Sequence, residues 1–566
     1  MRATSKARTA ILASLLALAA ALALAPAPPA SASGRQVSLF EDDVALLQDP
    51  VHAMQELRHL GVTMVRLNVR WSLIAPDPTS RRRPRFNASD PNAYPAKYWL
   101  PYDAVVRAAQ ADGIQLMFTP TGFAPVWAQG PNPRRYGAHY NFEFAFMPSA
   151  SEFRQFVVAL GKRYPTVHTW ELYNEPNFGE DLAPQGIHGS RVLYSPVMYR
   201  GLINAAWGAL HATGHGGDRI IIGALAAHGA HAPARRGAGL PGTYGETPPL
   251  EFVRELYCLD SSYRPYRGGA AAVRRCPTTA AAARRFRARN PALFSSAAWS
   301  IHPYPLGADG GTPPTLTHYH NPNFVGYSQL PNMVRALDRI QRVYRSGKRF
   351  PLWDTEFGYI TNPPNRSEHF ASLGAQAFFD NWAEYLAWKS RRLASAMQYL
   401  LYDPNPSVGT PECGGFASGL LFFPTPPSGG GCGPYPPGAG KPGLGAYRLP
   451  IYLPHSSARP GRTVMVWGCV RPAHYALLDT HKPQTALIQF QQGGRGGWST
   501  VGAVTFSNPA SSCYFTRRVK FPASGTVRLV YQYPLGDVRL EPGIGHTYFD
   551  PLARTSVSRT ASVTIR

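Results

Sequence analysis

The chain predicts an α/β fold, a (β/α)8 TIM barrel followed by an Ig-like β-sandwich, from two changes of pattern along its 566 residues. From about Gln36 to Tyr402, short apolar runs alternate with amphipathic helical stretches, the signature of repeated βα units around a parallel sheet. After Tyr402, Gly and Pro dominate residues 403–445 and helical periodicity is lost. From Ile451 onward, short strand-like runs are separated by turn residues. These changes place a barrel at residues 35–450 and a β-sandwich at 455–566.

Eight candidate strands can be read in order: QVSLF, GVTMVRLNV, IQLMFT, VHTWELYN, RIIIGAL, AAWSIHP, FPLWDTE and ASAMQYLLY. Each is a run of apolar and β-branched residues bounded by turn formers. Between them, DPVHAMQELRHLG, YDAVVRAAQADG and SEFRQFVVALGKRY repeat apolar residues at helical spacing. The longest insertion, roughly His228 to Phe294, follows the fifth strand, and its Tyr263, Arg264 and Tyr266 are candidates for a cleft wall. In the second part, TVMVWGCV, TALIQFQQ, STVGAVTF, CYFTRRVKF, TVRLVYQYP and SVTIR are the candidate strands.

At the N-terminus, Arg2, Lys6 and Arg8 precede an apolar run that ends at Ala30-Ser31-Ala32, the pattern of a secretory signal over residues 1–32. A secreted protein, extracellular or held at the cell wall, is therefore expected, with no membrane span once the signal is removed. The six cysteines fall in sequence-local pairs, Cys258 with Cys276, Cys413 with Cys432 and Cys469 with Cys513, suited to three disulfides in an oxidising compartment. The formal charge is +24. Its arginines are scattered apart from Arg81 to Arg85 and clusters near Arg235 and Arg284, so a nucleic-acid partner is not expected, although attraction to an acidic polymer fits the charge. A monomer is expected. His318 and His320 lack a third ligand at a metal-site spacing, so no metal and no cofactor are expected.

Catalytic groups of such barrels sit where strands meet the loops at their C-terminal ends. The fourth strand runs into Asn174-Glu175-Pro176, and the seventh into Asp354-Thr355-Glu356. Pro176 has no N–H to give a ladder, so it is expected to stop the strand just past the glutamate. Two carboxylates facing each other across a polar cleft are what cleavage of a glycosidic bond requires: one protonates the leaving oxygen, the other attacks or activates water. Strand alternation puts Arg66 with Asn68, Ser300 with His302 and Tyr304, and Asp354 with Glu356, each set on one face.

ELYNEPN and WDTEFGY resemble the retaining glycoside hydrolases of clan A, in particular families 5 and 39. The resemblance covers roughly Gln36 to Pro450 and extends to VRLNVRW, SIHPYP and TPTGFAPVWA. It implies Glu175 as general acid/base, Glu356 as nucleophile, and Arg66, Asn174, His302, Tyr304, Trp127 and Tyr399 as substrate-binding residues, with Trp127 as a sugar platform. The implied reaction is double displacement on a polysaccharide or oligosaccharide. The chain departs from the pattern at the eighth strand, where QYLLYDPNP has Tyr399 and Tyr402 in place of a tryptophan, and at the third, which lacks a histidine usual in family 5. Two other functions fit the same residues: a non-catalytic carbohydrate-binding or cell-surface protein, and a transglycosylase.

Overall fold

The structure is a computed structural model describing residues 36–130, 144–186, 192–229, 247–305, 310–316, 321–405, 415–424, 435–510, 512–534 and 554–566. Cys413, Cys432, His318, His320 and the N-terminal apolar segment lie outside the described residues. Eight parallel strands form one sheet: β1 (Val37–Glu41), β2 (Met64–Arg70), β3 (Gln115–Thr121), β4 (Thr169–Leu172), β5 (Arg219–Ala226), β6 (Ala298–His302), β7 (Leu352–Asp354) and β8 (Ser395–Tyr399). They pair in chain order, β8 pairs with β1, and a parallel bridge between Leu352 and Leu393 closes β7 against the segment entering β8. This is the TIM-barrel arrangement the alternation predicts, with a strand in each of the eight segments.

Helices cover the barrel, including α1 (Pro50–Leu60), α2 (Ala96–Asp112), α3 (Ala150–Arg163), α4 (Ser195–Ala212), α5 (Ala280–Arg289) and α6 (Leu373–Lys389). Local chemistry sets their ends. Asp49 caps α1 by accepting from the His52 N–H at 3.3 Å, and Ser149 caps α3 by accepting from the Glu152 N–H at 3.4 Å. Gly61 ends α1 at φ +81°, where a Cβ would lie 2.4 Å from the Arg471 carbonyl, so only glycine allows the C-terminal part to approach this closely.

That C-terminal part is a separate sheet domain with its own apolar core. A three-stranded sheet pairs β9 (Ile451–Tyr452), β11 (Thr463–Cys469) and β14 (Tyr514–Lys520). A six-stranded sheet contains β10 (Ser457–Ala458), β12 (Gln484–Gln492), β13 (Ser499–Phe506), β15 (Gly525–Gln532), β16 (Thr555–Val557) and β17 (Ala561–Ile565). Val464 and Val466 of one sheet and Ile488, Phe490, Val527 and Leu529 of the other share the core. The expected loss of helix after Tyr402 is corrected at Pro442–Arg448 and Ala473–Thr480, the second rich in the helix formers Ala and Leu. Disulfides join Cys258 to Cys276 and Cys469 to Cys513.

The sheet domain docks on α1 and α6 through buried polar contacts. Arg471 pairs with Glu384 at 2.6 Å, Tyr514 donates to the same carboxylate at 2.7 Å, and Tyr475 donates to the Val62 carbonyl at 2.8 Å. Trp467 is fully buried beside Tyr385 and Trp388 of α6. Removing one partner of a buried ion pair costs about 3–5 kcal/mol, because the other is left uncompensated. Arg471→Met is therefore expected to lower the unfolding free energy by that order, seen as a lower urea midpoint in equilibrium unfolding followed by fluorescence.

Candidate active site

Arg66, midway along β2, is wholly buried inside the barrel, and its guanidinium meets three carboxylates and an amide. Nε donates to Glu171 at 2.5 Å, Nη1 to Glu356 at 2.6 Å and to Glu41, and Nη2 to the Asn174 side-chain oxygen at 2.7 Å. Glu41 also accepts from Asn68 at 2.8 Å, and Glu171 accepts from Thr119 at 3.2 Å. One cation shared among three acids divides their protons. Burial works against ionisation of Glu171, but Arg66 and His302 outweigh it and hold its carboxyl below the ordinary range. Burial pushes Glu41 well above that range despite Arg66. Burial also raises Glu356, against the pull of His302 and Arg66.

Glu175 is placed by a turn rather than by the strand itself. The expectation that Pro176 stops β4 is corrected: the strand ends at Leu172, and Tyr173 and Glu175 take left-handed backbones at φ +75° and +34°. Such backbones are uncommon for residues with side chains and persist where surrounding contacts impose them. The Tyr173 N–H donates to Pro120 at 3.1 Å, the Asn174 N–H to the Thr121 hydroxyl at 2.9 Å, and the Glu175 N–H to Ala224 at 3.0 Å. Asn177 then clamps the loop onto β5, donating to the Ala226 carbonyl at 3.0 Å and accepting from the Ala226 N–H at 2.8 Å. At Gly223, φ +125°, a Cβ would fall 2.3 Å from the Ser300 carbonyl, so β5 reaches β6 closely only as glycine.

His302, at the end of β6, is buried between the two glutamates. Its Nδ1 lies 2.8 Å from Glu175 and 3.5 Å from Glu356, while its Nε2 has no partner among the described residues. Burial lowers the ring's pKa to about 4, so the neutral tautomer with its proton on Nδ1 satisfies the geometry and leaves only a lone pair unpaired. Tyr304 donates to the second oxygen of Glu356 at 3.2 Å, and burial keeps its hydroxyl protonated. The nearest ligating atoms of Glu175, His302 and Glu356 all lie within 4.8 Å of one another. By distance alone they could seat a cation, but a hydrogen bond from His302 accounts for the same spacing.

Glu175, Glu356 and Tyr304 line a cleft of about 490 Å3 that also includes Asn174, Tyr399 and Phe416. The structure thus brings together Glu175, Glu356, Arg66, Asn174, His302, Tyr304 and Tyr399. It leaves Trp127 out: that side chain is 8% exposed, donates to the Pro76 carbonyl at 3.0 Å and packs against Trp71 and Phe86. As a sugar platform Trp127 is corrected to an aromatic-core residue. Of the insertion after β5, His228 lines the cleft, but the expectation for Tyr263 and Tyr266 is corrected. Tyr263 lies beneath Arg339 and Tyr266 donates to Glu255 at 2.7 Å, both on the outer flank rather than in the cleft lining. Glu41, Glu171 and Asp181 were not singled out by sequence reasoning. A charged residue inside the apolar run TWELY, and the acid ending the first strand in LFED, were the available signals.

Tyr304→Phe removes a hydrogen bond to a charged group, an interaction of about 1.5–3 kcal/mol. For any substrate the cleft turns over, kcat/KM should fall about 10- to 100-fold with little loss of stability. Glu356 is raised, so any turnover that needs its carboxylate ionised should fall with decreasing pH from a point above the ordinary value 4.5. Losing the tyrosine donor should shift that acid limb further upward, which pH profiles of parent and variant check.

No family model and no curated protein matches the chain. Among solved structures, it is similar to a family 39 glycoside hydrolase from Bacteroides cellulosilyticus WH2, at 14% identity over 86% of this chain and 81% of that one, with a TM-score of 0.41. It is similar to a glucosidase from Croceicoccus marinus, at 13% identity over 95% of each chain and a TM-score of 0.42. It is also similar to an endo-beta-1,4-mannanase from Thermotoga petrophila, at 10% identity over 94% of this chain and 98% of that one, with a TM-score of 0.35. Likeness at this level leaves the reaction to be argued from the site itself.

Proposed function

We propose that the protein is a secreted glycoside hydrolase that cleaves O-glycosidic bonds with retention of configuration. The observation that carries this reading is the pair Glu175 and Glu356, whose facing oxygens lie within 4.8 Å at the floor of the cleft. Retaining enzymes hold their two carboxyls about 5–5.5 Å apart, whereas inverting enzymes need about 6.5–9.5 Å to admit a water between them.

The two carboxyls are dressed differently, as two roles require. Glu356 takes donors from Arg66 and Tyr304, which support a carboxylate able to attack the anomeric carbon. Glu175 is held by the neutral His302, which orients it to pass its proton to the leaving oxygen. In the first step the bond from Glu356 to the anomeric carbon forms as the glycosidic bond breaks and Glu175 protonates the departing oxygen. In the second, Glu175 takes a proton from water, whose oxygen displaces Glu356.

The cleft is lined further by Asp43, Glu180 and Asp181, with Arg70 as a countercharge. Burial raises Asp43 and, with the charge of Glu175, raises Asp181 well above the carboxylate range, so these carboxyls suit hydrogen bonds to the hydroxyls of an uncharged sugar better than contact with a uronate. Two disulfides support export, and the division into a catalytic barrel at 35–450 and an Ig-like accessory domain at 455–566 follows the separate sheets and cores. Burial of Trp467 against α6 supports a stabilising role for that domain rather than a glycan-binding one.

Product release from a panel of neutral, amino-sugar and acidic polysaccharides and aryl glycosides tests the reading, with Glu175→Gln and Glu356→Gln assayed alongside the parent. Turnover by the parent that drops at least about 1,000-fold in Glu356→Gln is expected, with Glu175→Gln losing most on substrates with poor leaving groups. Release that survives in Glu356→Gln would reject Glu356 as the nucleophile, and silence of the folded parent across the panel would reject the hydrolase in favour of a binding protein on a barrel scaffold.

A further inference from the structure

Away from the cleft, a pocket of about 430 Å3 opens on the barrel's outer flank, between α4 and the insertion that follows β5. Arg200 of α4, Arg275 of the insertion and Arg285 and Arg289 of α5 line it, and no acidic residue does. None of these four arginines is in an ion pair among the described residues. The nearby carboxylate, Glu255, is already engaged by Arg274 and Tyr266, each at 2.7 Å.

Arg200 forms the back wall. It is 6% exposed, donates to the Leu256 carbonyl at 2.9 Å and the Arg274 carbonyl at 2.8 Å, and lies over the Phe286 ring. Its hydrogen bonds are to neutral groups, so its charge is held by dipoles without a counter-ion. Burial, with Arg275 adding to it, brings its pKa down to about 10, the mark of a guanidinium short of negative charge. Arg285 and Arg289 stand four residues apart on one helix face, a like-charge spacing that costs stability unless something offsets it. Arg275 adopts a left-handed backbone at φ +49°, next to Cys276, whose disulfide to Cys258 fixes this wall. Four arginines lining one concavity, with no acid among the lining, match planar or tetrahedral oxyanions, which guanidinium groups bind in bidentate fashion.

We propose that this pocket is an exosite for the oxyanion of an acidic glycan, a carboxylate, sulfate ester or phosphate ester, which holds the enzyme on an acidic matrix while the cleft works on uncharged units. The anion site stands on the pocket alone; that a glycan carries the anion rests on the glycosidase reading. The two linings separate the tasks, since a polyanion is drawn to four arginines on the flank, whereas the cleft lining holds carboxyls and, among the described residues, the single arginine Arg70.

Affinity electrophoresis of the full chain at low salt, through gels containing polygalacturonate, a sulfated glycan, a phosphate-bearing glycan or an uncharged galactan, tests this. The variant Arg275→Ser/Arg285→Ser/Arg289→Ser changes exposed residues only, and Arg81→Ser/Arg82→Ser/Arg85→Ser removes the same charge elsewhere. Retardation by at least one acidic glycan and not by galactan is expected, with the pocket variant losing about tenfold in affinity and the control less than about twofold. The acidic gel that retards most identifies the oxyanion, and inorganic sulfate or phosphate should compete. Equal loss in both variants, equal retardation by galactan, or tighter binding of single-stranded DNA than of every acidic glycan would overturn the proposal. Turnover of a neutral substrate without polyanion binding rejects only the exosite; binding without turnover on any substrate rejects the hydrolase.

Discussion

One buried guanidinium organises the interior of this barrel. Arg66 has no exposure to solvent, and the carboxylates of β1, β4 and the turn after β7 all converge on it. Without it, Glu41, Glu171 and Glu356 would be three desolvated acids side by side, an arrangement that like-charge repulsion forbids unless protons are taken up. With it, Glu171 is the ionised partner, Glu41 is driven toward its protonated form, and Glu356 lies between. The acidity of Glu356 is therefore set by competition with Glu41 and Glu171 for one cation, not by its own surroundings alone.

Across the cleft the constraint is backbone geometry. Glu175 reaches the barrel mouth because Tyr173 and Glu175 accept left-handed conformations that the loop's bonds to β3 and β5 impose. His302, whose ring burial keeps neutral down to about pH 4, then bridges the space between the two carboxyls. The result is a pair of carboxyls held close by rigid elements. Preorganisation of this kind is what a charge-separated transition state asks of its site.

The strands and their order were legible because barrel strands are apolar runs whose alternation assigns faces, and both glutamates were legible as acids just past the ends of β4 and β7. Arg66 with Asn68 and Ser300 with His302 could be paired by that rule. What alternation cannot reach is backbone that leaves the strand. Pro176 looked like the stop signal, yet the ladder ends four residues earlier, where hydrogen bonds to neighbouring strands decide the path. Trp127 was misjudged for a related reason: an aromatic after a strand can stack on sugar or on other rings, and only Trp71 and Phe86 in three dimensions choose between them. The insertion after β5 gave no periodic clue that it packs sideways on α4, where Arg200 receives it.

The spacing of Glu175 and Glu356 makes one stereochemical commitment. Proton NMR of the first product released from a substrate of defined anomeric configuration reads it before mutarotation sets in. Retention of the substrate's anomeric configuration is the outcome that the facing carboxyls and the donors on Glu356 predict. Inversion would contradict it, since a water would then have to fit between carboxyls that stand too close to admit one.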